Sequence, residues 1–172
     1  SSDLINGNNH TTQTYAGWIA KTNFKGSNNY IINCSSSGKI GNFGGGIAGA
    51  YAGSDGGSLN IIGCSSSGII SDQTGGGGIV GDFSGDNNGQ VNVTSCWSTG
   101  AISGGNSGGI VGQNSYNCAI TNCYSTGNIS GTSAGGIIGY NPGLTLCTIS
   151  YCYSRGNITG DYAGGICGSM RS

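Results

Sequence analysis

The residues best suited to chemistry are the eight cysteines, because a thiol can form a disulfide, bind a metal or act as a nucleophile. The chain has no C-x-x-C pair and a single histidine, His10, so it lacks the ligand spacing of a zinc site. One histidine also cannot activate a whole series of thiols for catalysis. We therefore expect no metal, no cofactor and no catalytic cysteine.

The positions of the cysteines reveal a repeat. The string C-x-S-x-G-x-I occurs five times, and a second string, G-G-I-x-G, follows each copy. The first string begins at Cys34, Cys64, Cys96, Cys123 and Cys152. Successive copies of it therefore start 30, 32, 27 and 29 residues apart. The segment "YAGWIA" (15–20) reads as a degenerate sixth copy with Trp18 at the isoleucine position, and Leu4 stands in for its cysteine.

Within a repeat, the short period is two. Cys123, Ser125, Gly127 and Ile129 alternate with polar residues, which is the pattern of a strand with one buried face. From the second copy on, a pair of apolar residues at alternate positions precedes each repeat cysteine and predicts a second strand. The G-G-I string is interpreted as a third short strand. Glu is absent and charged residues make up only 6% of the chain, so long amphipathic helices are not expected.

These periods predict an all-β fold, a parallel β-helix (β-solenoid) of about six coils with three short strands and 27–32 residues in each. The whole chain, 1–172, is expected to form one domain, with the last coil incomplete. Like residues should stack in columns, one of cysteine, one from the G-G-I isoleucines, and one of Ile40, Ile70, Ile102, Ile129 and Ile158.

Two hypotheses remain open for the cysteines. They form either a column of buried thiols acting as small apolar side chains or a set of disulfides between coils. The other three cysteines are not part of the C-x-S-x-G-x-I string; they are Cys118, Cys147 and Cys167. The best candidate disulfides are Cys34–Cys64, Cys118–Cys147 and Cys123–Cys152.

Other candidate sites lie on the outward face. Trp97, Tyr124 and Tyr153 each follow a repeat cysteine and should form an aromatic stripe for recognition or for stacking on one another. The inserted loops 52–58 and 84–90, and the shorter 113–117, are further candidate ligand contacts. The N-x-S/T triplets give candidate glycosylation sites at Asn9, Asn33, Asn92, Asn128 and Asn157.

Composition disfavours several functions. The net charge of −1 offers no surface for nucleic acid, and no apolar run is long enough to insert in a membrane. The six aspartates fall at different positions of different repeats, so paired acid–base catalysis is not expected and the chain is not predicted to be an enzyme.

The strings "GGIAG", "GGIVG" and "GGIIG", preceded by "NCYSTGNISG", resemble the GLUG-motif repeats over roughly residues 29–168. The resemblance implies a β-helical scaffold of secreted, adhesin-type surface proteins, with no catalytic residues to carry over. The first hypothesis is an extracellular or cell-surface structural protein that assembles head to tail with copies of itself, because the sequence shows no capping segment at either end of the repeats. The alternative is an adhesin-type module that binds glycans through the aromatic and hydroxyl face, with ice binding a weaker third.

Overall fold

Ten parallel strands form the regular part of the protein. A computed structural model describes residues 13–71, 74–141 and 146–169. Each coil contributes one longer strand and one two-residue strand. In chain order the strands are β1 (Asn29–Ile32), β2 (Ser35–Ser36), β3 (Ser58–Ile62), β4 (Ser65–Ser66), β5 (Gln90–Thr94), β6 (Trp97–Ser98), β7 (Cys118–Thr121), β8 (Tyr124–Ser125), β9 (Thr148–Ser150) and β10 (Tyr153–Ser154).

The strands form two five-stranded parallel sheets, ordered β1-β3-β5-β7-β9 and β10-β8-β6-β4-β2. Equivalent residues of successive coils pair in register, as in Leu59 with Val91 and Val91 with Cys118. The chain therefore winds as a β-solenoid, which confirms the predicted fold class. The five strands of each sheet define about 4 turns rather than the six coils predicted. Leu4, where the first coil was predicted to start, lies outside the described residues.

The G-G-I string is a bend and not the third strand that its sequence predicts. It pairs with its neighbours only through isolated bridges, such as Gly77 with Gly108 and Val80 with Val111. A Cβ on Gly77 would lie 1.8 Å from the carbonyl oxygen of Val80, so only glycine allows the chain to fold back this sharply.

The first copy of the string is also shifted from the predicted alignment. Bridges join Gly17 to Gly45 and Ala20 to Ala48, which places Ile19, not Trp18, level with the isoleucine column. Trp18 lies level with the second glycine, and its Nε1 donates to the carbonyl oxygen of Gly38 at 3.1 Å. The indole thereby packs against the next coil at Gly38.

The interior consists of columns of small and apolar side chains from equivalent positions of successive coils. One cluster contains the strand residues, the G-G-I isoleucines and the cysteines, and includes Leu59, Ile61, Val93 and Ile120. The second contains the column of Ile40, Ile70, Ile102 and Ile129, with Ala134 beside it. The bridges Ile40–Ile70, Ile70–Ile102, Ile102–Ile129 and Ile129–Ile158 confirm the predicted isoleucine column.

A serine–glycine contact joins the two repeated strings across the interior. A Cβ on Gly78 would lie 2.5 Å from Oγ of Ser98, and one on Gly109 would lie 2.6 Å from Oγ of Ser125. Both serines are fully buried. The serine of the first string thus occupies the space that the second glycine of the G-G-I string leaves open, and this contact fixes the narrow cross-section.

Candidate functional site

The five repeat cysteines form the predicted column, and its hydrogen bonds are regular. The backbone N–H of Cys34, Cys64, Cys96 and Cys123 each donates to Sγ of the next cysteine in the column at 3.4 Å. Each thiol in turn faces carbonyl oxygens, as Cys96 does with Thr94 at 3.3 Å and Ile61 at 3.6 Å. Four of the five sulfurs therefore join neighbouring coils through main-chain groups: those of Cys64, Cys96, Cys123 and Cys152.

The structure contains the eight cysteines as thiols. Hydrogen bonds that the Cys96 thiol donates to the side chains of Cys123 and Cys64, together with burial, raise the pKa of Cys96. A hydrogen bond to the Cys147 side chain and complete burial raise the pKa of Cys118 well above its usual value. Since the thiolate is the reactive form, the thiols of Cys96 and Cys118 are poor nucleophiles.

Cys118 and Cys147 occupy neighbouring coils, just before the paired residues Ala119 and Thr148. Cys147 donates from Sγ to the carbonyl oxygen of Ser115 at 3.3 Å, and Asn141 approaches the sulfur with its side-chain amide. Cys167 lies level with Ile138 in another column. The structure thus separates these three cysteines from the repeat column.

The predicted aromatic stripe is a stack of parallel rings. The centroids of Trp97 and Tyr124 lie 6.1 Å apart and those of Tyr124 and Tyr153 lie 5.1 Å apart, with interplanar angles of 7° and 3°. The guanidinium of Arg155 lies over the Tyr153 ring, 5.3 Å from its centroid. The faces of the rings therefore pack against one another, and mainly the ring edges are exposed to solvent.

A second aromatic group was not predicted. Tyr15 stacks on Phe43 at 4.9 Å, Tyr51 stacks on Phe83 at 5.1 Å, and Tyr15 and Tyr51 connect the two pairs at 6.2 Å. All four residues have positive φ, between 51° and 64°, at the corners on either side of the G-G-I bend. Aromatic residues two positions before or two positions after a G-G-I-x-G string in consecutive repeats would have been the signal for this group.

The candidate glycosylation sites differ in accessibility. Asn33, Asn128 and Asn157 are exposed, whereas Asn92 is half-buried and donates from Nδ2 to Oδ1 of Asn60 at 2.9 Å. A glycan would replace one of the two Nδ2 hydrogens of Asn92, so a single N–H would remain for this bond. Asn9 lies outside the described residues.

The inserted loops pack on one another from coil to coil. Lys25 pairs with the carboxylate of Asp55, and Asn87 donates from Nδ2 to Oδ1 of the same carboxylate at 2.7 Å. Asp82, two residues before the second loop, has a fully buried carboxylate that accepts from the N–H of Phe83 at 2.7 Å and from Nε2 of Gln113 at 3.1 Å. Burial raises the pKa of Asp82 to about 7.

No group of three His, Cys, Asp or Glu side chains with the arrangement of a metal site occurs among the described residues. The same part of the chain contains no helix of the length and hydropathy needed to cross a membrane.

Fold and repeats together define a β-solenoid with a glycine-cornered coil. Residues 103–130 match the family model of the GLUG motif. The chain is therefore a β-solenoid that carries this motif. The matched segment includes the G-G-I string at 108 and the cysteine string at Cys123, the two elements that the serine–glycine contact joins. No curated protein and no solved structure matches the chain.

Proposed function

We infer that this is a repeat-type structural or adhesin-like protein, which its solenoid fold and GLUG motif support. We propose that it is an extracellular structural protein that assembles by pairing the edge of one solenoid with that of a second copy. GLUG motifs are found in secreted and surface proteins in general, which supports the extracellular part of the proposal. A scaffold of this kind needs no catalytic activity, and we propose none.

The last described coil carries the argument for assembly. Ile158 and Ile166 are 48% and 37% exposed, although Ile129 and Ile137, their counterparts one coil earlier, are 0% exposed. β9 and β10 are also the outer strands of their sheets. An edge strand with apolar neighbours is a template for another strand.

A second copy of this chain is the partner that fits this edge. Each earlier coil is covered by a coil with the same columns, in parallel and in register. Such a contact joins different surfaces of two copies and does not close on itself, so it produces a filament.

The test is sedimentation velocity and negative-stain electron microscopy over a range of protein concentrations. We expect wild-type protein to form filaments and Ile158→Lys to require at least about tenfold higher concentration, because a charge would be buried at each junction. Ile69→Lys is the matched control, since Ile69 is exposed on the flank of a middle coil and should not affect assembly. A wild-type protein that stays monomeric, or an Ile158→Lys variant that assembles equally well, would contradict the proposal.

Glycan recognition by Trp97, Tyr124 and Tyr153 is the less favoured function. Parallel stacking occupies the ring faces that a sugar would contact, which supports a stabilising role for these residues.

A further inference from the structure

A groove lies between two loops that follow the G-G-I bend in successive coils. Loop 84–90 is longer than loop 113–117, and a space of about 240 Å³ lies between them. Its floor is tightly built, because a Cβ on Gly85 would lie 2.2 Å from the carbonyl oxygen of Tyr116. The groove is lined by Gly85, Asn87, Asn88, Gly89, Tyr116, Asn117 and Leu146.

The lining combines amides with apolar surface. Tyr116 and Leu146 are 38% and 79% exposed. Asn117 donates from Nδ2 to the carbonyl oxygen of Gly89 at 2.8 Å, and Asn87 donates from Nδ2 to Asp55. Both side chains are therefore held in place by their nitrogen atoms, and their Oδ1 atoms remain as acceptors. Asn88 is exposed with a φ of 61° and offers a whole amide.

The groove carries no ionisable group other than the tyrosine hydroxyl. Asp86 lies between Gly85 and Asn87 but not in this lining, and its Oδ1 accepts from the N–H of Asn87 at 2.8 Å; Lys25 and Asp55 of the adjoining loops neutralise each other. An anionic ligand would therefore find no cation in this lining, whereas a neutral ligand rich in hydroxyls would find amide partners.

We propose that this groove binds one neutral pyranose ring of a glycan. The C–H face of the sugar packs on Tyr116 and Leu146, and its hydroxyls bond to the amides of Asn87, Asn88 and Asn117. A volume below the roughly 300–1,000 Å³ of drug-sized pockets suits a single ring. This site is independent of the assembly edge.

Saturation-transfer-difference NMR with the methyl glycosides of glucose, galactose, mannose and N-acetylglucosamine tests the proposal at concentrations where the protein is monomeric. We expect saturation transfer to at least one glycoside, with a dissociation constant of about 1 mM, as befits one ring in a shallow site. Tyr116→Ala should weaken binding about tenfold, and Asn88→Ala should weaken it by a smaller factor.

Tyr162→Ala is the matched control, because it removes an exposed tyrosine remote in sequence from the groove and should leave binding unchanged. Circular dichroism of each variant confirms that the coil is retained. The proposal is overturned if none of the four glycosides shows transfer, if Tyr116→Ala binds like the wild type, or if the groove takes up only peptides in a parallel screen.

Discussion

Asp82 shows how one residue can couple the stability of the loops to pH. Its carboxylate is fully buried, and its two closest hydrogen-bond donors, the N–H of Phe83 and Nε2 of Gln113, are neutral. Burial without a cation disfavours the charged form, which is why the pKa is raised to about 7 from the usual 3.8.

We expect the free energy of unfolding to fall as pH rises from about 4 to about 7. In this window the folded protein holds the Asp82 proton that the unfolded chain has lost, so rising pH removes stability, at up to about 1.4 kcal/mol per pH unit. Urea unfolding of wild type and Asp82→Asn across this range measures the effect, and the difference between the two proteins cancels the contribution of His10. The Asp82→Asn curve should be flatter, and identical slopes would show that Asp82 does not titrate as described.

At the same scale, some side-chain positions were predictable and others were not. The cysteine column follows from the repeat spacing alone, because matching positions of a solenoid must stack. The serine–glycine contact does not, since it joins two strings whose distance across the coil depends on the angle of each corner. The groove residues belong to inserted loops, which the repeat does not constrain.

Among the elements, the parallel aromatic stack is the feature with the clearest energetic role. Tyr124 contacts a ring on each side, at 6.1 Å and 5.1 Å. Each such pair contributes about 0.5–1.5 kcal/mol beyond the area that it buries. The stack therefore reinforces the short strands β6, β8 and β10, which have only two residues each.

Tyr124→Ala should lower the free energy of unfolding by about 1–3 kcal/mol, because it removes both ring contacts. Urea unfolding followed by circular dichroism measures this change. Tyr30→Ala removes an exposed tyrosine from β1 and should change stability by less than about 0.5 kcal/mol. Equal effects of the two substitutions would mean that the stack contributes nothing.

Strands with alternating apolar residues were predicted correctly because period two is visible in the sequence. The G-G-I bend was misread as a strand because its isoleucine has strand propensity, whereas its glycines decide the backbone path. The Tyr15–Phe43 and Tyr51–Phe83 pairs were missed because bulky residues rarely adopt positive φ.

For the molecule as a whole, each coil contacts only its neighbours, so coils should be removable as units. Ser95 and Asn122, the residues before Cys96 and Cys123, have the same φ of 54°. Deleting 96–122 would therefore join Ser95 to Cys123 without changing the phase of any column.

We expect this deletion variant to fold, with a β-type circular dichroism spectrum and a denaturant dependence reduced in proportion to the 27 of 172 residues removed. Deleting 96–109, about half a coil, is the control; it should not fold, because the apolar columns would no longer coincide. If both deletions unfold the protein, the coils are not independent units.

The backbone hydrogen bonds between coils run along the long axis of the solenoid, and this orientation determines the response to mechanical force. Tension applied at the two ends would peel off one coil at a time instead of breaking the whole structure at once. Each event would release 27–32 residues and lengthen the chain by roughly 90–115 Å, at 3.3–3.6 Å per residue. The molecule would thus extend in steps and dissipate mechanical work at each of them.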